Sequence, residues 1–362
     1  MFGVKKSELN PDRVKEALAT VIDPDLHQDI VSLGMISEIK VNGEKVSFKL
    51  TLTTPACPVK EQIESQCKQV VEALPGVKEV EMKSEAAVAG QRKLPGSKEP
   101  IEGIKQIIAV TSGKGGVGKS TVAVNLAVAL AKLGAKVGLL DADVTGPNVP
   151  IMMGVEDYQP QAKDNRILPA ENFGVKIISM AFFVSKDTPI IWRGPMLDKA
   201  IRQFLRDVVW GQLDYLIVDM PPGTGDAQLT MVQATQLSGG VIVTTPQDVA
   251  LLDGRKGYAM FQQMGVPVLG FVENMSYFQP PNSTERYEIF GHGGGKKLAV
   301  EYDVPFLGEV PLDPSVRIGG DEGQPITAQN IDHPVSKAFI EIAKQVAAQI
   351  SIHALAPVEA EA

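Results

Sequence analysis

From Ile104 onward the chain alternates short, almost unbroken apolar runs with longer segments of helical periodicity. The runs at 107–111, 137–141, 215–219, 241–245, 268–273 and 306–310 are of strand length and carry no polar face. Strands apolar on both sides belong to parallel sheets covered by helices on both faces. The pattern therefore predicts an α/β fold with a doubly wound, mostly parallel sheet. Residues 1–83 have a different rhythm. Asn10 caps a helix opening at Pro11, with Val14, Leu18, Val21 and Ile22 on its apolar stripe. Around Asn42-Gly43, Ile39 and Val41 face the alternating Val46, Phe48, Leu50 and Leu52, which predicts a hairpin. A second helix follows Pro58, with Ile63, Cys67, Val70 and Leu74 at helical spacing, and a strand is expected over 77–82.

The predicted organisation is thus a small α/β domain over 1–83, a flexible linker over 84–103 and a large α/β domain over 104–352. The linker is small, charged and broken by Pro95-Gly96 and Pro100. An acidic tail occupies 353–362. The stripe Val335, Phe339, Ile342, Val346 and Ile350 has only Lys337 and Lys344 on its polar side, so it predicts a helix packed on the core rather than on a lipid surface.

Charge and cysteine usage narrow the setting. A formal net charge of −8 argues against nucleic-acid and anionic-membrane partners. No run is long enough to cross a bilayer, and Met1–Glu8 lacks a signal-peptide core. With 2 cysteines, Cys57 and Cys67, a disulfide scaffold is ruled out and a reducing cytoplasm is expected.

The chemistry concentrates behind the first large-domain strand. Gly113, Lys114, Gly115, Gly116, Val117, Gly118, Lys119, Ser120 and Thr121 fit the pattern Gly, four residues, Gly-Lys-Ser/Thr, between an apolar run and a helix. Backbone N–H groups freed by the glycines converge on phosphate oxygens, aided by the helix dipole. Lys119 is placed for the β- and γ-phosphates of a nucleoside triphosphate and Ser120 for Mg²⁺. Asp141 and Asp143, at alternate strand positions, project to one side, suited to Mg²⁺-bound water and the attacking water. Asp219 closes the run Leu216-Ile217-Val218 as a Walker B acid does, holding Mg²⁺ through water. The Pro-Pro-Gly-Thr-Gly after it reads as a γ-phosphate-sensing switch. Asn274 can donate to and accept from adenine. His27, His292, His333 and His353 show no ligand spacing and read as surface or capping residues.

Lys-Gly-Gly-Val-Gly-Lys-Ser-Thr at 114–121 resembles the deviant loop of the MinD/ParA/nitrogenase-iron-protein class. Together with Asp-Ala-Asp at 141–143, Trp192-Arg193-Gly194-Pro195, the 219–226 segment and Glu273-Asn274-Met275-Ser276, the chain resembles the Mrp/ApbC family of P-loop ATPases, iron–sulfur cluster carriers or scaffolds. The segments at 21–26, 32–35 and 52–58 resemble a PaaD-type iron–sulfur assembly domain. The resemblance implies an ATP-hydrolysing homodimer that passes clusters from assembly factors to apoprotein clients. It also implies that Lys114 reaches across the dimer, Lys119, Asp143 and Asp219 serve catalysis, Asn274 reads adenine, and Arg193 couples nucleotide state to the interface.

The chain departs from the family in one place. Many members carry Cys-x-x-Cys after the Asn-Met-Ser segment, where this chain has Tyr277-Phe278-Gln279-Pro280-Pro281-Asn282, and no cysteine occurs beyond Cys67. A four-thiolate cluster between large domains is therefore impossible as drawn in relatives. Cys57, at a helix start, is the remaining candidate iron–sulfur ligand, with its pKa expected to be lowered by the helix dipole. Two other readings stay open: a MinD/ParA-like positioning switch and a cluster-free, ATP-dependent adaptor.

Overall fold

The structure is a computed structural model, describing residues 9–91, 98–143, 146–183, 194–223 and 225–355. Two compact units divide the chain, with the described residues up to Ala89 in one and Gly90–Ala354 in the other.

In the first unit Asn10 caps helix α1 (Pro11–Leu18), its side chain accepting from Arg13 N at 3.0 Å. Strands β1 (Ile36–Asn42) and β2 (Lys45–Leu52) form the expected antiparallel hairpin. Helix α2 (Lys60–Glu72) then leads to β3 (Glu79–Ala86), which pairs with β2 in parallel. Residues 84–86 thus continue a strand that the sequence pattern ended at Met82, because the ladder runs on to Leu52 opposite Ala86. Val46, Phe48, Leu50 and Leu52 alternate inward along β2 against Val14, Leu18, Ile63, Cys67 and Val71.

The second unit is built on one eight-stranded sheet. Its elements in chain order are β4 (Ile104–Thr111), α3 (Lys119–Lys132), β5 (Val137–Asp141), α4 (Val149–Met152), β6 (Ala170–Asn172), β7 (Val175–Ser179), α5 (Gly194–Arg206) and β8 (Leu213–Asp219). They continue as α6 (Asp226–Ala234), β9 (Gly239–Thr244), α7 (Asp248–Gln263), β10 (Val268–Phe278), α8 (Gly294–Glu301), β11 (Phe306–Leu312), α9 (Pro314–Asp321), α10 (Ile326–Gln329) and α11 (Pro334–Leu355). The spatial order is β6-β7-β5-β8-β4-β9-β10-β11, parallel throughout except for β6 at one edge. All six expected strands are present. The pattern missed β6 and β7, where Lys176 interrupts the apolar run Val-Lys-Ile-Ile-Ser.

Helix α3 is buried over most of its surface, which its Ala- and Val-rich sequence permits. The stripe on α11 is buried at Val335, Phe339, Ile342, Val346 and Ile350, as expected for core packing. No described helix is long and apolar enough to cross a membrane. After β4 the chain crosses to β5, two places away beyond β8, and later strands add on the other side of β4. Such a reversal opens a crevice at the strand carboxyl ends.

Gly240 in β9 leaves no room for a side chain: a Cβ there would lie 2.2 Å from the ring of buried Phe261. Gly240→Ala should destabilise the unit by about 1–3 kcal/mol, as overpacking does, lowering its melting temperature by a few degrees. Unchanged thermal denaturation would show that the sheet yields there.

Candidate functional site

The loop between β4 and α3 is shaped by what lies against it. Gly118 has φ of 82°, and a Cβ there would sit 2.1 Å from Nδ2 of Asn274. Only glycine accepts both the backbone conformation and that approach. Asn274, buried near the middle of β10, donates from Nδ2 to the Val117 carbonyl at 2.9 Å. The Ser112 hydroxyl donates to the Lys114 carbonyl at 2.8 Å, and Gly223 N donates to the Ser112 carbonyl at 3.0 Å. The loop is therefore tied directly to the segment after β8. That segment is braced in turn by the Gln228 amide, which donates to the carbonyls of Pro221 and Pro222.

Lys119 opens α3 and is buried, its ammonium donating to Asp219 Oδ1 at 2.5 Å and lying 3.2 Å from Ser120 Oγ. Asp143 Oδ2 lies 3.8 Å from the same nitrogen. Parallel register explains the convergence: Asp219 pairs with Asp141 on β5 and with Val110 on β4, so three strand ends finish level. Burial raises the Asp219 carboxyl above the usual carboxylate range, while Lys119 pulls it back. Burial, and then the Asp219 charge, raise Asp141 too. Asp219 Oδ2 is buried and has no hydrogen-bond partner among the described residues. A second cation at that oxygen fits the donor set, and Ser120 stands beside it.

The two acids of the 141–143 segment, expected to act together near the phosphates, have separate surroundings. Asp141 is fully buried and accepts from Asp143 N, Val149 N and the Ser179 hydroxyl. It therefore holds the loop in shape, whereas Asp143 faces Lys119. Sequence spacing could not separate them, because Ser179 belongs to the strand that the hydropathy pattern missed. Lys114 is half-buried, and no carboxylate among the described residues pairs with its ammonium. Beside Thr121 and Asn274 lies a cavity of about 510 Å³, bounded also by Asn148, Met152, Pro311 and Asp313. It is large enough for a nucleoside. Arg193 and Trp192 lie outside the described residues.

Cys57 corrects an expectation. It precedes α2, whose first residue is Lys60, and it is half-buried. Burial pushes its thiol up to about 11, with Asp23 and Asp25 adding to the rise against the weaker pull of the Val59 N–H. The helix dipole does not win, because desolvation penalises the thiolate more than one N–H stabilises it. Cys67 is fully buried in the first unit's core, its thiol pushed up to about 12.

Comparison with known proteins follows this geometry. Residues 103–347 match the family described as NUBPL iron-transfer P-loop NTPase, and residues 11–82 match one described as iron–sulfur cluster assembly protein. The chain is 53% identical over 352 residues to an iron–sulfur cluster carrier protein of Synechocystis, covering 96% of this chain and 99% of that one. It is 49% identical over 347 residues to a protein of the same name from Deinococcus radiodurans, covering 95% and 97% of the two chains. Among solved structures, a nucleotide-binding protein of Archaeoglobus fulgidus in complex with ADP is 42% identical, with a TM-score of 0.56 over 62% of this chain and 88% of that one. A septum site-determining protein MinD from Pyrococcus horikoshii, complexed with Mg-ADP, is 26% identical with a TM-score of 0.50, covering 67% and 95%.

The raised thiol of Cys57 has a kinetic consequence. Its alkylation by iodoacetamide should be slow at pH 7 and rise about tenfold per pH unit toward pH 10, because only the thiolate attacks. A rate that levels off below pH 8 would show that the thiol is not held protonated by burial.

Proposed function

This chain belongs to the NUBPL iron-transfer P-loop NTPase family, and on that premise we propose that it is an ATP-hydrolysing homodimer that carries iron–sulfur clusters to apoproteins. The observation that carries the nucleotide half is the buried group of Lys119, Asp219 and Asp143 at the carboxyl ends of adjacent strands. Nucleotide hydrolysis in general follows from the family, and its coupling to cluster transfer is our reading.

On that reading the loop 113–119 presents its N–H groups to the phosphates, and Lys119 moves from Asp219 to the β- and γ-phosphate oxygens. Ser120 and, through water, Asp219 would hold Mg²⁺, which neutralises phosphate charge when bound. Asp143 then orients the attacking water, and the bonds from the Ser112 carbonyl to Gly223 and from Gln228 to Pro221 and Pro222 relay phosphate state to the 219–226 segment. Asn274 keeps the loop closed through Val117. Its carbonyl oxygen, beside the cavity at Thr121, offers an acceptor for the adenine amino group. Lys114, with no acid of its own among the described residues, suits a phosphate of the second subunit.

The cargo half rests on the family and on the thiols. Cys67 is enclosed in the core, so Cys57 is the cysteine able to meet a cluster, one per chain. Two subunits would offer two thiolates, with the remaining ligands supplied by a donor or client. Thiolate–iron bonding would displace the Cys57 proton, as metal binding to thiols does.

Three outcomes test this reading. Lys119→Ala should lower ATP turnover about a hundredfold or more, the scale of losing one charge stabiliser in a transition state. Lys114→Ala should keep ATP binding while losing turnover, and wild-type specific activity should rise with protein concentration where the variant stays flat. If the wild-type rate per chain does not change with dilution, the cross-subunit role is wrong. After anaerobic reconstitution, Cys57→Ser should hold about half the wild-type iron or less, and equal iron content would exclude Cys57 as a ligand.

A further inference from the structure

Three side chains that sequence spacing gave no reason to group come together in the second unit. Glu273 on β10, His292 in the turn before α8, and Glu309 on β11 place one potential ligand atom each within 4.8 Å of one another. Nδ1 of His292 lies 4.0 Å from Glu273 Oε1 and 3.8 Å from Glu309 Oε2. Between them stands the Ser276 hydroxyl, 2.6 Å from Glu273 Oε1 and 3.2 Å from both His292 Nδ1 and Glu309 Oε2.

Glu273 is fully buried and set rigidly. Its Oε1 accepts from Gly293 N at 3.0 Å and its Oε2 from Gly295 N at 2.6 Å. Arg286 steadies Glu309 from the far side, with its guanidinium 3.6 Å from Oε1 and stacked 4.1 Å from the ring centroid of Tyr277. These are the outer contacts that orient first ligands in metal sites. His292 and the following Gly293 also line a cavity of about 510 Å³.

The cluster holds fewer protons than close polar contacts, and Glu309, at 31% side-chain exposure, is also open to solvent. Ser276 has a single hydroxyl proton, which it donates to Glu273 at 2.6 Å. An imidazole N–H at Nδ1 can donate to Ser276 Oγ, yet the 3.2 Å contact from that oxygen to Glu309 Oε2 then has no proton between two acceptors. A cation among the four groups removes that conflict. Donor separations in metal sites with bonds of about 2.0–2.2 Å are about 3–3.6 Å, so the two His292 contacts need contraction of roughly half an ångström, and the carboxylate pair, within 4.8 Å, up to about one ångström.

We propose that Glu273, His292 and Glu309, with Ser276 at their centre, bind a divalent first-row transition-metal ion. Two carboxylates balance its charge, and the imidazole favours such an ion over Mg²⁺ or Ca²⁺. The site uses no thiol and no residue of the phosphate loop. It lies at the base of the segment from Phe278 to Tyr287, which pair through backbone hydrogen bonds in both directions. The inference stands independently of the nucleotide and cluster readings.

The test is Co²⁺ titration of the full chain, stripped with EDTA and saturated with Mg-ADP, read by calorimetry and by the visible spectrum. The wild type should take up one more Co²⁺ per chain than His292→Ala or Glu309→Gln, or bind it at least about tenfold more tightly, on the scale of losing one coordinating contact. Its spectrum should lack the near-ultraviolet thiolate-to-cobalt band that ligation by Cys57 gives. Glu309→Gln also supplies an N–H to the contact that lacks a proton, so without metal it should melt no lower than wild type while losing the Co²⁺-induced rise. If His292→Ala fails to fold, this variant carries the test alone. Isotherms and spectra identical to wild type, or a thiolate band that accounts for all the bound cobalt, would overturn the proposal.

Discussion

The buried ion pair between Lys119 and Asp219 is the contact on which the large unit's working end depends. An ammonium at 6% side-chain exposure and a carboxylate at 1% are expensive to remove from water. They coexist because β4, β5 and β8 end level, and because the first turn of α3 points its lysine into the space between them. A second carboxyl group, Asp141, is buried alongside, and burial together with the Asp219 charge raises its pKa. Among the described residues Asp219 Oδ2 has no hydrogen-bond partner, which makes the pocket receptive to a further cation. Phosphates and a metal ion arriving together would exchange partners with this pair and leave neither charge stranded.

Control of the loop is spread over three strands. Asn274 holds it from β10, the 219–226 segment touches it through Gly223, and Asp141 fixes the turn that carries Asp143. The loop therefore has hydrogen-bonded links to each of these segments. On β10, Glu273 of the Glu–His–Glu cluster directly precedes Asn274. Nitrogen and oxygen side-chain groups thus gather at the base of the segment from Phe278 to Tyr287. In the small unit, meanwhile, one half-buried thiol sits among acids that oppose its ionisation.

Much of the fold was legible in the order of residues. The six apolar runs gave six strands, because a strand covered on both faces has to be apolar along its whole length. The hairpin around Asn42-Gly43 and the cap at Asn10 were equally plain. Strand β7 escaped notice, and with it Ser179, the partner that sets Asp141 apart from Asp143. The pKa of Cys57 was read in the wrong direction, since a helix start is visible in sequence and the burial that outweighs it is not.

By itself the sequence determined which groups are chemically available: a loop of glycines with two lysines, acids at the ends of apolar strands, and two cysteines in all. These are local properties, fixed by spacing of a few residues. Only the tertiary structure decided which of them meet. Lys119 and Asp219 are 100 positions apart and Asn274 and Val117 are 157 apart, and each pair is joined by strand order and register. Glu273, His292 and Glu309 belong to two strands and a turn, with no spacing that signals a shared site. Burial and contact between distant segments are properties of the packed units, and they hold both thiols protonated, bring Asp219 to Lys119 and leave Lys114 with no paired carboxylate among the described residues.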